Sequence, residues 1–188
     1  FLKGHGYPLF NPQPSDDLRG IARTGGVQIG DIGVLTPDGS FDPLFNITFP
    51  SDHPANSRFG VPQDFVPVML AERDIVIREQ YDRLGSIISN VSIAKQRLDM
   101  LTSLIFADRF SPVGAGATVE LSTSSSATAI LILPDGASSM NLRALQKFRE
   151  CALKHAQIWY ELVNKDLGHM VRNGDLVLVT GVTKSASW

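Results

Sequence analysis

"NLRALQKFRECALKHAQIWYELVNKDLG", residues 141–168, carries the clearest period in the chain. Leu145, Phe148, Ala152, His155, Trp159 and Leu162 recur at steps of three and four, which lays them along one side of an α-helix. Arg143, Lys147, Glu150, Lys154, Gln157 and Glu161 fall away from that stripe. Glu150–Lys154 and Glu161–Lys165 each place an acid four residues before a base, which modestly favours helix. Ser139 or Asn141 can cap the start and Gly168 can end it. The spacing therefore predicts one long C-terminal helix over about 141–167, roughly 40 Å at 1.5 Å per residue. A helix with one apolar stripe needs a surface to bury it, so the rest of the chain should supply a sheet.

Strand patterns lie on both sides. Downstream, "RNGD" (172–175) turns the chain, through Asn173-Gly174, into the strand "LVLVTGV" (176–182). Upstream, five hydroxyl residues (122–126) run into the apolar "ATAILIL" (127–133), which ends at Pro134-Asp135-Gly136. Nearer the start, "VQIGDIGVLT" (27–36) and "SFDPLFNITF" (40–49) meet at "TPDG" (36–39) and read as a β-hairpin. Ile29, Val34, Phe45 and Ile47 are expected in its core, and Pro43 calls for an edge position or a bulge. "DIVIRE" (74–79) and "GSIISNVSI" (85–93) read as further strands, and 50–64 as a long loop. Residues 95–110 fit helix or strand equally. Residues 1–26, rich in Pro, Gly and Asp, read as an extended arm before a single domain over 27–188. The fold class expected is α+β: a twisted, mainly antiparallel sheet with the long helix packed on it.

Composition bounds the function. A chain of 188 residues, 43% hydrophobic and 19% charged, suits one globular domain. A net charge of -2 argues against a strongly basic surface for nucleic acid or anionic membrane. A single cysteine, Cys151, leaves no internal disulfide framework or multi-cysteine metal site, and an intracellular, cytoplasmic setting is expected. The sequons at Asn46 and Asn90 then read as chance matches. No apolar run reaches the ~18 residues of a membrane-spanning helix. The chain opens without Met and closes in a strand-like run, so a piece of a longer protein is expected.

The residues that could carry chemistry are few. The serine run lacks the glycines and following helix of a nucleophile elbow, and the Lys of a phosphate loop. Strand or turn chemistry is the simpler account. Cys151 and His155, four apart, could share a metal or form a thiol–imidazole pair, but two ligands leave a tetrahedral site half filled. His155 also lies on the apolar stripe, where packing explains it. Asp52-His53, in the long loop, are the two weak catalytic candidates; the plain alternative is an Asx-type turn before Pro54. His5 and His169 have no partner near them in sequence. No cofactor or metal is expected.

Five blocks taken together carry a family resemblance. They are "GYPLFNPQPSDDL" (6–18), "GVQIGDIGVLTPDGSFDPLFNITFPSDHPAN" (26–56), "GVPQDFVPV" (60–68), "ATAILILPDGASSMNLRALQKFRECALKHAQIWYELVN" (127–164) and "NGDLVLVTGVTKSASW" (173–188). In this order they resemble a large family of uncharacterised proteins from mushroom-forming fungi (basidiomycetes). The resemblance covers most of the chain, more weakly over 72–118, and implies no activity or catalytic residue. Relatives more often carry a Cys after the Val-Thr-Gly, so Cys151 and the "GVTKSASW" end depart from the pattern. A fainter, architectural similarity links the helix and "NGDLVLVTGVTKS" to a helix–strand passage of gasdermin pore-forming domains.

The expected function is a non-catalytic intracellular recognition or self-association module, with a protein partner or a second copy and no nucleic acid. One alternative is a gasdermin-like membrane-perforating domain, the only reading with a membrane partner. The other is a hydrolase with a site near Asp52-His53.

Overall fold

The computed structural model describes residues 6–9, 11–12, 25–89 and 130–187. The serine run, residues 95–110, Asn90 and most of the 1–26 arm lie outside the described residues.

The hairpin forms where its turn chemistry places it. Strands β1 (Asp31–Leu35) and β2 (Phe41–Asn46) pair antiparallel. The turn closes when Gly39 N–H donates to Thr36 O at 3.0 Å and Thr36 N–H to Ser40 O at 3.0 Å. Pro43 sits in a bulge on an edge strand, since Ile32 faces Phe45 while Gly33 faces Pro43. The residue skipped is Leu44, so Leu44 and Phe45 both turn inward and both are buried. Gly33 is required opposite: a Cβ there would lie 2.3 Å from Asp42 O. Ile29, Ile32, Leu44, Phe45 and Ile47 join the core; Val34 is only half-buried.

The fold is α+β as expected, with the helix packed on strands that are divided among small sheets. Among the described residues there are eight strands in three small sheets. Strand β7 (Leu176–Leu178) pairs antiparallel with β1, giving the order β2-β1-β7. Strands β3 (Ile75–Asp82), β6 (Ala137–Leu142) and β8 (Gly181–Lys184) lie in the order β3-β6-β8. Strand β4 (Ser86–Ser89) pairs antiparallel with β5 (Ile130–Leu133). The run "LVLVTGV" changes sheets midway. Val179 N–H donates to Asp31 O at 2.9 Å, whereas Thr180 O accepts from Leu142 N–H at 2.8 Å.

Two compact units result. One, over His5–Ile77 and Met140–Val182, holds β1, β2, β7 and the helix. The other, over Arg78–Ser139 and Thr183–Trp188, holds β4 and β5. In the second, the Pro134-Asp135-Gly136 turn closes with Gly136 N–H on Leu133 O at 3.0 Å. Gly136 has φ +70, and a Cβ there would meet Asp82 O at 2.5 Å, so glycine is needed on two counts.

The helix α1 spans Leu145–Glu161 and runs into a π turn over Leu162–Asp166, with Gly168 at φ +72 just beyond. It begins later than the spacing predicts because 137–142 alternates and pairs as β6, with Ala137, Ser139 and Leu142 buried. Ser139 and Asn141 are thereby excluded as caps. Asp74 fixes the entry instead: its carbonyl accepts from Arg143 N–H at 2.7 Å and Ala144 N–H at 3.3 Å. Phe148, Trp159, Leu162 and Val163 are buried together with Ile32, Phe45 and Ile47. Trp159 meets Phe45 edge-on at 6.2 Å, and Phe45 meets Phe65 at 6.5 Å. Each such side chain contributes about 1.5–3 kcal/mol by leaving water. Leu145 departs from the expected stripe at 54% exposed, because the shortened helix starts there, past the edge of the core. Ala152 and His155 are half-buried. On the outer face Glu161 pairs with Lys165 at 3.7 Å, while Glu150 accepts from Gln146 at 2.9 Å.

Candidate functional site

The loop after β2 folds over a buried polar cluster whose organising residue is Asn46, at the end of that strand. Its carboxamide nitrogen donates to Ile29 O at 3.0 Å and to an Asp31 carboxylate oxygen at 2.7 Å. Its carboxamide oxygen accepts from Thr48 N–H at 2.7 Å and the Thr48 hydroxyl at 2.6 Å. Asn56 folds back on the same strand end: its Oδ1 accepts from Asn46 N–H at 2.7 Å, and its Nδ2 donates to Asn46 O at 3.1 Å and Pro50 O at 3.0 Å. Asp31 also accepts from Gln28 N–H at 2.7 Å. Asp31, Asn46 and Asn56 are all buried. A buried polar group is tolerated when its bonds are filled, and these fill one another's. The Asn46 sequon is therefore closed to a glycan in the folded chain, since both amide hydrogens are engaged and the side chain is enclosed.

His53 stands on the same loop, half-buried and stacked on Phe49 with ring centroids 4.1 Å apart. Its Nδ1 accepts from Ala55 N–H at 3.1 Å, so the imidazole caps the short 3-10 turn Pro54–Asn56. The Asx-type turn expected before Pro54 is replaced by this cap: His53, not Asp52, supplies the side chain, and it caps the turn that begins at Pro54. The bond to Ala55 leaves Nε2 as the protonated nitrogen of the neutral ring. Asp52 is exposed and, among the described residues, makes no hydrogen bond to His53. The pair lacks the carboxylate–imidazole contact that would orient a general base.

The helix candidates are equally quiet. Burial pushes the Cys151 thiol up, only partly opposed by the nearby Lys154 ammonium, and this direction disfavours the nucleophilic thiolate. No group of three or more His, Cys, Asp or Glu side chains among the described residues could hold a metal ion. His169 meets Phe59 edge-on at 6.2 Å, and its N–H donates to Val163 O at 3.0 Å. Asp74 accepts from the Lys147 ammonium at 2.6 Å and from Ala71 N–H at 2.9 Å. The Lys147 bond, then the Ala71 bond, hold its carboxyl below the ordinary value. The role is structural, tying the 71–74 turn to the first turn of α1.

Sequence reasoning missed a surface rather than a reactive group. Residues 65–70, "FVPVML", form a segment without regular secondary structure that lies against the core. Phe65, Val68 and Leu70 pack against it, Val68 N–H donates to Ile47 O at 2.7 Å, and Lys147 donates to Met69 O at 3.0 Å. Val66 and Met69 point away, each 77% exposed. An anchored segment thus presents two large apolar side chains to water. The signal was available: a six-residue apolar run around a proline offers more apolar surface than one face can bury.

Compared with protein-family models, curated proteins and solved structures, the chain finds no match. No helix among the described residues is long and apolar enough to cross a membrane.

Proposed function

We propose that the chain is a non-catalytic recognition or self-association module that engages a protein surface through Val66 and Met69. The supporting observation is the 65–70 segment, whose inner side chains and hydrogen bonds hold it in place while its outer ones stay exposed. Fixing the backbone beforehand lowers the ordering cost of association, and apolar anchors supply most of its energy. We further place it in the cytoplasm and in the family from mushroom-forming fungi, on the quoted sequence blocks and the single cysteine.

Light scattering across a wide concentration range tests this. The parent chain should gain mass with concentration, while Val66→Asp and Met69→Asp remain monomeric with unchanged melting temperature. A parent chain that stays monomeric throughout defeats self-association. A broad hydrolase screen bears on the enzyme alternative: turnover abolished by His53→Ala would replace the proposal, though the capped Nδ1 argues against it. Leakage from liposomes would favour the membrane-perforating alternative.

A further inference from the structure

We propose that Asn173–Gly174 is a self-modification site, at which the Gly174 backbone nitrogen cyclises onto the Asn173 carboxamide, and that the Tyr160 hydroxyl restrains this reaction. Both residues are exposed in the turn between α1 and β7. Gly174 has φ +97 and open space where a Cβ would stand, so no side chain crowds the turn at that residue. Its N–H donates to the Tyr160 hydroxyl at 2.8 Å. Tyr160, half-buried in the last turn of α1, is a fixed acceptor. The turn is pinned on either side, as Arg172 N–H donates to the Asp175 carboxylate at 2.8 Å and Asp175 N–H to Arg172 O at 3.1 Å.

The chemistry balances with water as the sole co-reactant. A solvent base removes the Gly174 amide proton, the nitrogen bonds to Asn173 Cγ, and the Cγ–Nδ2 bond breaks with release of ammonia. Water then opens the five-membered imide at either carbonyl, leaving aspartate or isoaspartate at position 173. The first step needs a free Gly174 N–H, and that hydrogen is engaged by Tyr160. Removing the acceptor should speed cyclisation by about two- to tenfold, the worth of one neutral hydrogen bond. Either product adds a carboxylate to the turn. The isoaspartyl form also lengthens the backbone by one carbon just before β7, whose Leu176 and Leu178 pair with β1.

The test is incubation of the folded chain at mildly alkaline pH, with peptide mapping and enzymatic methylation of isoaspartate as readouts. The parent should accumulate product at Asn173, more slowly than the same chain in denaturant. Tyr160→Phe, checked for an unchanged circular dichroism spectrum, should accumulate it faster, and Asn173→Gln should give none there. No product at Asn173 in the folded parent, while the denatured chain converts, would overturn the site. A Tyr160→Phe rate equal to the parent's would overturn the restraint.

Discussion

Asn46→Asp changes one side-chain atom in a fully buried residue and should cost a large part of the fold's stability. The acceptor oxygen facing Thr48 survives, but both donated bonds disappear, the 3.0 Å bond to Ile29 O and the 2.7 Å bond to Asp31. Each abandoned buried acceptor costs about 1–3 kcal/mol. One of the two is a carboxylate, so the variant also sets two negative oxygens against each other, and uncompensated buried charge costs about 3–5 kcal/mol. These terms overlap, and a total of about 3–5 kcal/mol at neutral pH is expected. Burial and the neighbouring Asp31 should raise the folded pKa of the introduced carboxyl above its unfolded value. Its deficit is therefore smallest below the unfolded pKa, where a protonated acid can donate to Asp31, and grows as pH rises through the folded pKa. Urea titration followed by tryptophan fluorescence, repeated from pH 4 to 8, reads both quantities. A loss under about 1 kcal/mol, or one that does not vary with pH relative to the parent, would refute the buried network.

Three other expectations are simpler. Trp159→Ala should lose about 3–5 kcal/mol, because the ring is buried edge-on against Phe45, whereas Leu145→Ala should change little; urea unfolding of both checks the contrast. Gly136→Ala should lower the melting temperature by several degrees, since it adds left-handed strain and a clash with Asp82 O; an unchanged melting curve would contradict the close approach. The Asp74 carboxyl, held low by Lys147, contributes stability that is present above its unfolded pKa and is lost as pH falls through its folded one. Lys147→Gln should therefore flatten the acid limb of the stability–pH curve, measured against the parent.

Local chemistry made part of this structure legible. The hairpin follows from Thr36-Pro37-Asp38-Gly39 alone, and Pro43 announces the bulge that turns Leu44 and Phe45 inward together. Most of the helix stripe holds because period 3.6 needs no knowledge of the rest of the chain. The helix start was hidden because "ASSMNL" reads as a polar lead-in, and its buried-exposed alternation emerges only once β6 is paired. Val163, four residues after Trp159, is buried on the same side as the stripe, which the spacing reading ended at Leu162. The Asn46–Asn56–Asp31 network was illegible for a different reason. Asn56 reaches Asn46, 10 positions away, only when the loop folds back on β2, and Asp31 faces Asn46 only in the register that the bulged hairpin adopts. Asp74 likewise serves a helix entry 69 residues further on, at Arg143. For Asp52 and His53 the sequence shows the loop they stand on, but the stacking of His53 on Phe49 and its cap to Ala55 depend on neighbours that no spacing rule relates.

The claim that residues 65–70 form the contact surface is tested most directly by the methionine methyl groups. The chain has four methionines, and Met69 and Met140 lie in the same unit as the helix, one exposed and the other half-buried. With carbon-13 in the methyls, the Met69 signal should move as the protein is concentrated, while that of Met140 stays still. Val66→Asp should abolish the movement without altering the Met140 position. A Met69 signal that is independent of concentration, in a parent chain shown to self-associate, would place the contact elsewhere and contradict the account.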